Sequence, residues 1–254
     1  MSSFSFDKAF DMTGKVVLVT GGAAGIGQAV ATVFAERGAR LALADLSPAV
    51  AETAAGLPGK GHFSIAADIS VPGEPDRVVA AVLKELGQID VLVNNAGVGL
   101  LESAEKMTDE MWDRTIAVNL TAPFRMARAA FPALRKSGAG RIVNIASQAA
   151  VIALDKHVAY CSSKAGVLGL TNVLAAEWAQ YGISVAAISP TVVETELGRR
   201  AWAGEVGVAM KKKIPAGRFA QPEEIALAAL YLASGASAMI TGANLIIDGG
   251  YTIV

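Results

Sequence analysis

Tyr160 and Lys164 stand four residues apart in HVAYCSSKAG, at the start of a stretch whose apolar pattern predicts a helix. That spacing puts a phenol and an ammonium on one helix face, a turn apart. A phenol titrates near ~10 and cannot act as a base near neutrality without help. A neighbouring positive charge favours the phenolate and lowers that value. Ser147 follows an apolar run that ends at Ala146, which places its hydroxyl at the C-terminal end of an expected strand. Open α/β sheets put their ligands there. Together the three side chains suit proton exchange at an alcohol or carbonyl oxygen, with Ser147 holding that oxygen and Tyr160 moving its proton. Taken alone, Tyr-x-x-x-Lys is common and also fits an amphipathic helix surface.

A second group of residues suits a phosphate. TGGAAGIG, residues 20–27, lies between an apolar run and a helical pattern. Glycines allow the backbone N–H groups to approach a pyrophosphate closely, and the following helix adds its partial positive charge. The spelling T-G-x-x-x-G-x-G is looser than G-x-G-x-x-G, and a strand-to-helix turn uses glycine in any case. Asp45 ends the next apolar run, 18 residues after Gly27. A carboxylate in that place accepts hydrogen bonds from an adenosine ribose and repels a 2′-phosphate. Neither Ala23, Ala24 nor Leu46 supplies a compensating cation. The pattern favours NAD over NADP, the other reading of Asp45 being a plain strand-end turn residue. A nicotinamide cofactor would exchange hydride where Tyr160 exchanges the proton.

The elements that must position these residues alternate along the chain. Apolar runs at 15–20, 40–45, 62–68, 89–94, 140–147, 183–189 and 243–250 predict seven strands. Helical patterns lie between them, the longest at 109–136 and 157–181. This alternation implies a parallel, doubly wound α/β sheet of the Rossmann type with helices on both faces. No linker or repeat divides residues 1–254, which read as a single domain. One irregular stretch, 194–219, holds Arg199, Arg200, Trp202 and three consecutive lysines at 211–213. Its place after a strand predicts a substrate lid, with the lysines a solvated face. Of the 254 residues 53% are apolar and 18% charged, which excludes a disordered chain. A net charge of −1 gives no electrostatic footprint for nucleic acid. No apolar run reaches the ~18–20 residues of a membrane span, and residues 1–15 do not read as a signal peptide. The single cysteine, Cys161, excludes an internal disulfide and a thiolate zinc site and reads as a small core residue. A cytoplasmic protein without a metal is expected.

TGGAAGIG, NNAG at 94–97, Asn119 in AVNLTAPF, Ser147 and YCSSK at 160–164 together resemble the short-chain dehydrogenase/reductase family, in its order and over nearly the whole chain. The resemblance implies a catalytic tetrad of Asn119, Ser147, Tyr160 and Lys164. In it Tyr160 is the acid/base, Ser147 the substrate anchor, Lys164 the tuner and ribose binder, and Asn119 the holder of a proton-relay water. It further implies that Gly21, Gly25, Ile26 and Gly27 line the pyrophosphate and that Asp45 binds the ribose. Asp68 and Ile69 would touch adenine, Asn95 would lie beside the cofactor, and Val193 and Thr195 would meet the nicotinamide amide. Asp68 also reads as a loop cap ahead of Pro72. Two positions depart from the family pattern: Thr191 follows Pro190 where glycine is usual, and Ala186 replaces a common Asn.

Gln148 and His157 are the candidate substrate contacts, with donors and acceptors beside the reacting carbon. His157 also fits a simple helix cap, and Gln148 a solvent-facing residue. A site that hydrogen-bonds hydroxyls favours a small polyhydroxylated alcohol. The segments HVAYCSSKAG and ISPTVVETELG are similar to those of the family's sugar-alcohol dehydrogenases. A 3-oxoacyl thioester (acyl carrier protein) reductase is the alternative enzyme, and a non-catalytic NAD-sensing or scaffold protein the alternative outside catalysis. The two long helices carry apolar positions beyond one core-facing stripe, and the resemblance implies a homotetramer.

Overall fold

The computed structural model describes residues 5–254, without the side chains of Phe6, Leu197 and Ala201. Residues 1–4, part of the span read as one domain, lie outside the described residues. Seven strands form one sheet: β1 Val16–Thr20, β2 Arg40–Asp45, β3 Phe63–Ala66, β4 Val91–Asn94, β5 Arg141–Ile145, β6 Ser184–Pro190 and β7 Asn244–Ile247. Every pairing is parallel, in the order β3-β2-β1-β4-β5-β6-β7. Chain order reverses between β1 and β4, which opens a crevice at their C-terminal ends.

The helices are α1 Phe6–Ala9, α2 Gly25–Glu36, α3 Val50–Gly56, α4 Glu74–Leu86, α5 Asp109–Ile116, α6 Ala122–Lys136, α7 Val158–Trp178, α8 Glu196–Ala201, α9 Glu205–Lys213 and α10 Pro222–Ala233. Strand alternation sorts the core into two layers. Val17 and Val19 of β1 face α2 and α10, where they meet Val30, Phe34 and Ile225. Val16 and Leu18 face α4, α6 and α7, where they meet Val82, Met126 and Leu174. A strand buried on both faces needs the unbroken apolar run that β1 has.

The sequence pattern at 109–136 predicts one helix, and the structure divides it. Between α5 and α6 the chain widens into a π turn, Ala117–Thr121, with the Ala122 N–H donating to the Ala117 carbonyl. Pro123 explains the break. It has no N–H to give the Asn119 carbonyl four residues earlier, which favours the wider turn there, whereas Pro132 is carried inside α6. Likewise α7 ends at Trp178, and residues 179–181 continue as a 3-10 turn. The irregular stretch at 194–219 contains two short helices, α8 and α9.

Candidate active site

The glycine turn sits at the switch point and is closely built. Gly21 has φ +66, and a Cβ there would lie 2.9 Å from the Ala96 Cα. A Cβ on Gly27 would fall 2.0 Å from the Gly21 carbonyl oxygen, so no other residue fits. Gly25 lies against Thr195, whose Cγ2 would be 3.1 Å from a Cβ placed there. Gly25, Ile26 and Gly27 open α2, whose first turn has no side-chain cap and no acidic residue. Unfilled N–H groups at a helix start suit an anion such as a pyrophosphate. The turn therefore fits a dinucleotide. Gly27→Ala is expected to remove nucleotide binding, checked by calorimetric titration, and to lower Tm in the same samples.

Side chains around the turn hold its shape. Asn95 Nδ2 donates to the Thr20 and Gly21 carbonyls at 3.0 and 2.9 Å. The Thr20 hydroxyl accepts from the Asn95 and Ala96 N–H groups at 3.1 and 3.2 Å. Asn95 thus braces β1 against β4 beside the crevice, a role sequence reasoning missed along with Thr20. Asp45 accepts from Ala23 N at 3.0 Å and Ser47 N at 2.8 Å, which ties β2 to the glycine turn. Each of its carboxylate oxygens keeps acceptor capacity beyond those bonds.

Asp68 is engaged more fully. Its Oδ1 accepts from Ser70 N and Oγ at 3.0 and 2.6 Å, and its Oδ2 from Arg114 of α5 at 3.1 Å. The Ser70 hydroxyl and Arg114 hold this carboxyl below its ordinary range against the opposing effect of burial. The loop-cap reading of Asp68 accounts for these bonds, and Ile69 beside it packs into the core. Nothing in the spacing of Arg114 marks it as Asp68's partner.

Across the crevice, the four residues of the expected tetrad converge. The π turn carries Asn119 inward, where it is 1% exposed. Its Oδ1 accepts from Val98 N at 2.8 Å, and its Nδ2 donates to Val98 O at 2.9 Å and Ser163 Oγ at 3.1 Å. Asn119 therefore clamps the loop after β4 onto α7. A Cβ on Gly97 would lie 3.4 Å from Asn119 Oδ1 and 3.6 Å from Lys164 Nζ, so the residues meet there. Lys164 Nζ donates to the Ile145 carbonyl at 2.8 Å, and lies 5.7 Å from the centre of the Tyr160 ring. Burial pulls the Lys164 ammonium down from 10.5 to about 8. Ser147 opens the turn Gln148–Ala150, accepts from Ala149 N at 3.1 Å and hydrogen-bonds the Tyr160 phenol.

One expectation is reversed. Lys164 was expected to lower the Tyr160 pKa; in the protein alone burial raises it, and the hydrogen bond from Ser147 offsets this only in part. Desolvation outweighs the lysine because the ammonium points to the Ile145 carbonyl and is itself poorly solvated.

His157 does not cap α7 through its side chain. Its Nδ1 lies 2.5 Å from the Asp155 carbonyl, which requires that nitrogen to carry the proton and leaves Nε2 as the acceptor when the ring is neutral. The ring stands edge-on to Tyr160, centroids 6.0 Å apart. Gln148 is 3% exposed, which removes the solvent-facing reading, and its Oε1 has no partner.

Val193 directly precedes the 194–219 segment, and Thr195 is its second residue. The Thr195 hydroxyl caps α8 by accepting from Gly198 N at 3.0 Å, while its methyl faces Gly25. Behind it Met210, Ile214 and Phe219 form a small apolar cluster with Trp202 and Tyr251. Of the three lysines, Lys212 and Lys213 are exposed as expected, but Lys211 pairs with Glu194 at 3.1 Å and sits 4.7 Å from the Phe219 ring centre. Among the described residues, no cluster of three His, Cys, Asp or Glu side chains is placed to hold a metal, and no helix is long and apolar enough to cross a membrane.

A parallel seven-stranded sheet with a glycine turn at its switch point and a Ser–Tyr–Lys constellation beside it defines a nucleotide-dependent oxidoreductase site. The chain belongs to the short-chain dehydrogenase/reductase family. A family model described as enoyl-(acyl carrier protein) reductase matches residues 21–252. The chain is 53% identical over 253 residues to a protein of Listeria innocua serovar 6a named NAD-dependent glycerol dehydrogenase, covering 100% of both chains. It is also 53% identical over 252 residues to the D-threitol dehydrogenase of Mycolicibacterium smegmatis, covering 98% of this chain and 97% of that one. Among solved structures, the 3-ketoacyl-(acyl-carrier-protein) reductase of Brucella melitensis complexed with NADH superposes with a TM-score of 0.89 at 33% identity. That match covers 95% of this chain and 100% of the other.

Proposed function

We propose that the protein oxidises a secondary hydroxyl of a small polyol to a ketone, with NAD as hydride acceptor and Tyr160 as acid/base. The observation that carries this reading is the meeting of Ser147, Tyr160 and Lys164 beside a glycine turn whose neighbour is Asp45, not a cation. The full-length likeness to a glycerol and a threitol dehydrogenase supports the substrate class.

The residues divide the work. Gly21, Gly25, Ile26 and Gly27 would hold the pyrophosphate, and the free acceptor capacity of Asp45 would take the ribose hydroxyls. Asp68, Ile69 and Asn95 would border the adenosine end, and Val193 and Thr195 the nicotinamide amide. Bound NAD would accept the hydride and bring a positive ring beside Tyr160. Ser147 holds the substrate oxygen and Tyr160 takes its proton. Lys164 keeps a positive charge near the phenol, and Asn119 fixes α7 and the loop after β4 around them. Burial keeps the phenol protonated without added positive charge.

The thioester alternative is weakened by the 194–219 segment. Arg199 donates to the Glu194 carbonyl at 2.7 Å, Arg200 pairs with Glu196, and Lys211 pairs with Glu194. These three cations are engaged within the segment, which we read as the substrate lid, while its Lys212 and Lys213 remain exposed. We read residues 1–254 as one domain and the protein as a cytoplasmic homotetramer. Support for assembly comes from the edge strand β7, where Leu245 and Ile246 are exposed, and from exposed Leu227 on α10. Light scattering is expected to return a mass of about four chains; the mass of one chain would contradict this.

The functional test is NADH formation over glycerol, erythritol, D-threitol and xylitol, with NAD and NADP side by side. Turnover of one or two polyols with NAD is expected. Silence on all of them, with reduction of acetoacetyl thioesters, would place the protein with the acyl reductases.

A further inference from the structure

Buried polar groups without a partner are costly, about 1–3 kcal/mol each, and call for an explanation. Among the described residues, five side chains hold such an atom, and two of these lie at the rim of the site: Gln148 Oε1 and Thr191 Oγ1. Both residues are more than nine-tenths buried, at 3% and 8% exposed. They sit on neighbouring strand ends. β5 and β6 pair up to Ile145 with Ile188, and Ala146 N continues the ladder to the Ile188 carbonyl at 2.7 Å. Past the paired residues, Thr191 directly follows β6, and Gln148 opens the turn Gln148–Ala150, which packs against β6.

The face is the one that carries the reaction. Alternate residues of β6 divide between the layers, Ala186 and Ile188 toward α2 and α10, Val185 and Ala187 toward α7. Thr191 continues the second set, and its N–H still bonds Ile247 of β7 at 3.0 Å. Tyr160 and Lys164 project from α7 on this side. Thr191 also stands where the family usually has glycine, so its hydroxyl is an addition to the site.

We infer that the Thr191 hydroxyl, together with Gln148 Oε1, recognises the substrate hydroxyl on the carbon next to the one oxidised, and so selects vicinal polyols. Gln148 Oε1 can only accept, and its missing partner is therefore a donor. An alcohol O–H is such a donor; a 3-oxoacyl chain has none beside its ketone. Thr191 Oγ can accept from the same hydroxyl or donate to it. The inference rests on the polyol reading and names the residue that gives it specificity.

The test compares wild type with Thr191→Val, which keeps the shape and removes the hydroxyl, and with Thr191→Ser, which keeps the hydroxyl. The inference predicts that Thr191→Val raises KM for the best polyol about 10-fold, the size of one lost hydrogen bond at a buried site. The Kd for NAD stays within about two-fold, and Thr191→Ser restores KM. An unchanged KM would overturn the inference. So would a parallel loss of NAD affinity, which would assign the hydroxyl to the cofactor amide, and so would failure of Thr191→Ser to restore, which would assign the effect to packing. Wild-type silence on every polyol sinks the functional reading itself, and is told apart because it shows before any variant is made.

Discussion

Replacing Tyr160 by Phe is expected to lower kcat/KM for polyol oxidation by about 10²–10⁴-fold, the range lost with a positioned acid/base. Affinity for NAD is expected to stay within about two-fold, because the glycine turn and Asp45 lie on the other side of the switch point. Phe keeps the ring, so the contacts with His157 and Lys164 keep their geometry, and only the phenol bonded to Ser147 is lost. Steady-state kinetics with a parallel calorimetric titration of NAD separates the two effects. A variant that binds NAD and turns over at the wild-type rate would remove Tyr160 from the chemistry. It would favour a site in which another group moves the proton.

The second large effect concerns Lys164, where activity and stability pull apart. Lowering its pKa from 10.5 to about 8 corresponds to about 3 kcal/mol of burial cost for the ammonium. Lys164→Met removes that cost and leaves the Ile145 carbonyl unpaired, a loss of about 1–3 kcal/mol. Activity is expected to fall by at least about 10²-fold, while the fold at pH 7 is as stable as wild type or more so. The pH dependence gives the sharper test. Between pH 8 and 10.5 the unfolded chain binds the lysine proton more tightly than the folded one, so wild-type stability gains on the variant as pH rises through this window. The Tm difference, variant minus wild type, is therefore most positive below pH 8 and falls as pH approaches 10.5. A difference that is flat with pH would mean that the buried lysine carries no such cost.

Much of the sheet is legible in the chain, because strands buried on both faces require uninterrupted apolar runs such as residues 15–20, and parallel neighbours require helices between them. The spacing of Tyr160 and Lys164 is legible for the same reason: helical geometry turns a four-residue interval into a shared face. Other features depend on contacts between distant segments, which no local pattern encodes. Arg114 meets Asp68 only because the fold brings α5 beside the loop after β3, and Asn95 reaches Thr20 only because β4 lies beside β1. The inward turn of Asn119 has a local sign in Pro123, but the sign is ambiguous, because Pro132 lies in the same span and is carried inside α6. The direction of the Tyr160 pKa in the protein alone is not legible, because charge proximity can be read from spacing, whereas depth of burial cannot. Thr191 shows the opposite case: a departure from the family pattern, visible in the sequence, acquires a role once its hydroxyl is found buried and unpaired.

The central claim is that hydride leaves a secondary carbon of a polyol for NAD at the Ser147–Tyr160–Lys164 site. The most direct measurement uses the best polyol substrate, deuterated at the carbon that is oxidised, and follows the label by mass spectrometry. The account predicts one deuterium in the reduced cofactor per ketone formed, and labelled cofactor formed about 10²–10⁴-fold more slowly when Tyr160 is replaced by Phe. Ketone without label in the cofactor, or a labelled cofactor formed equally well by the Tyr160→Phe variant, would contradict it.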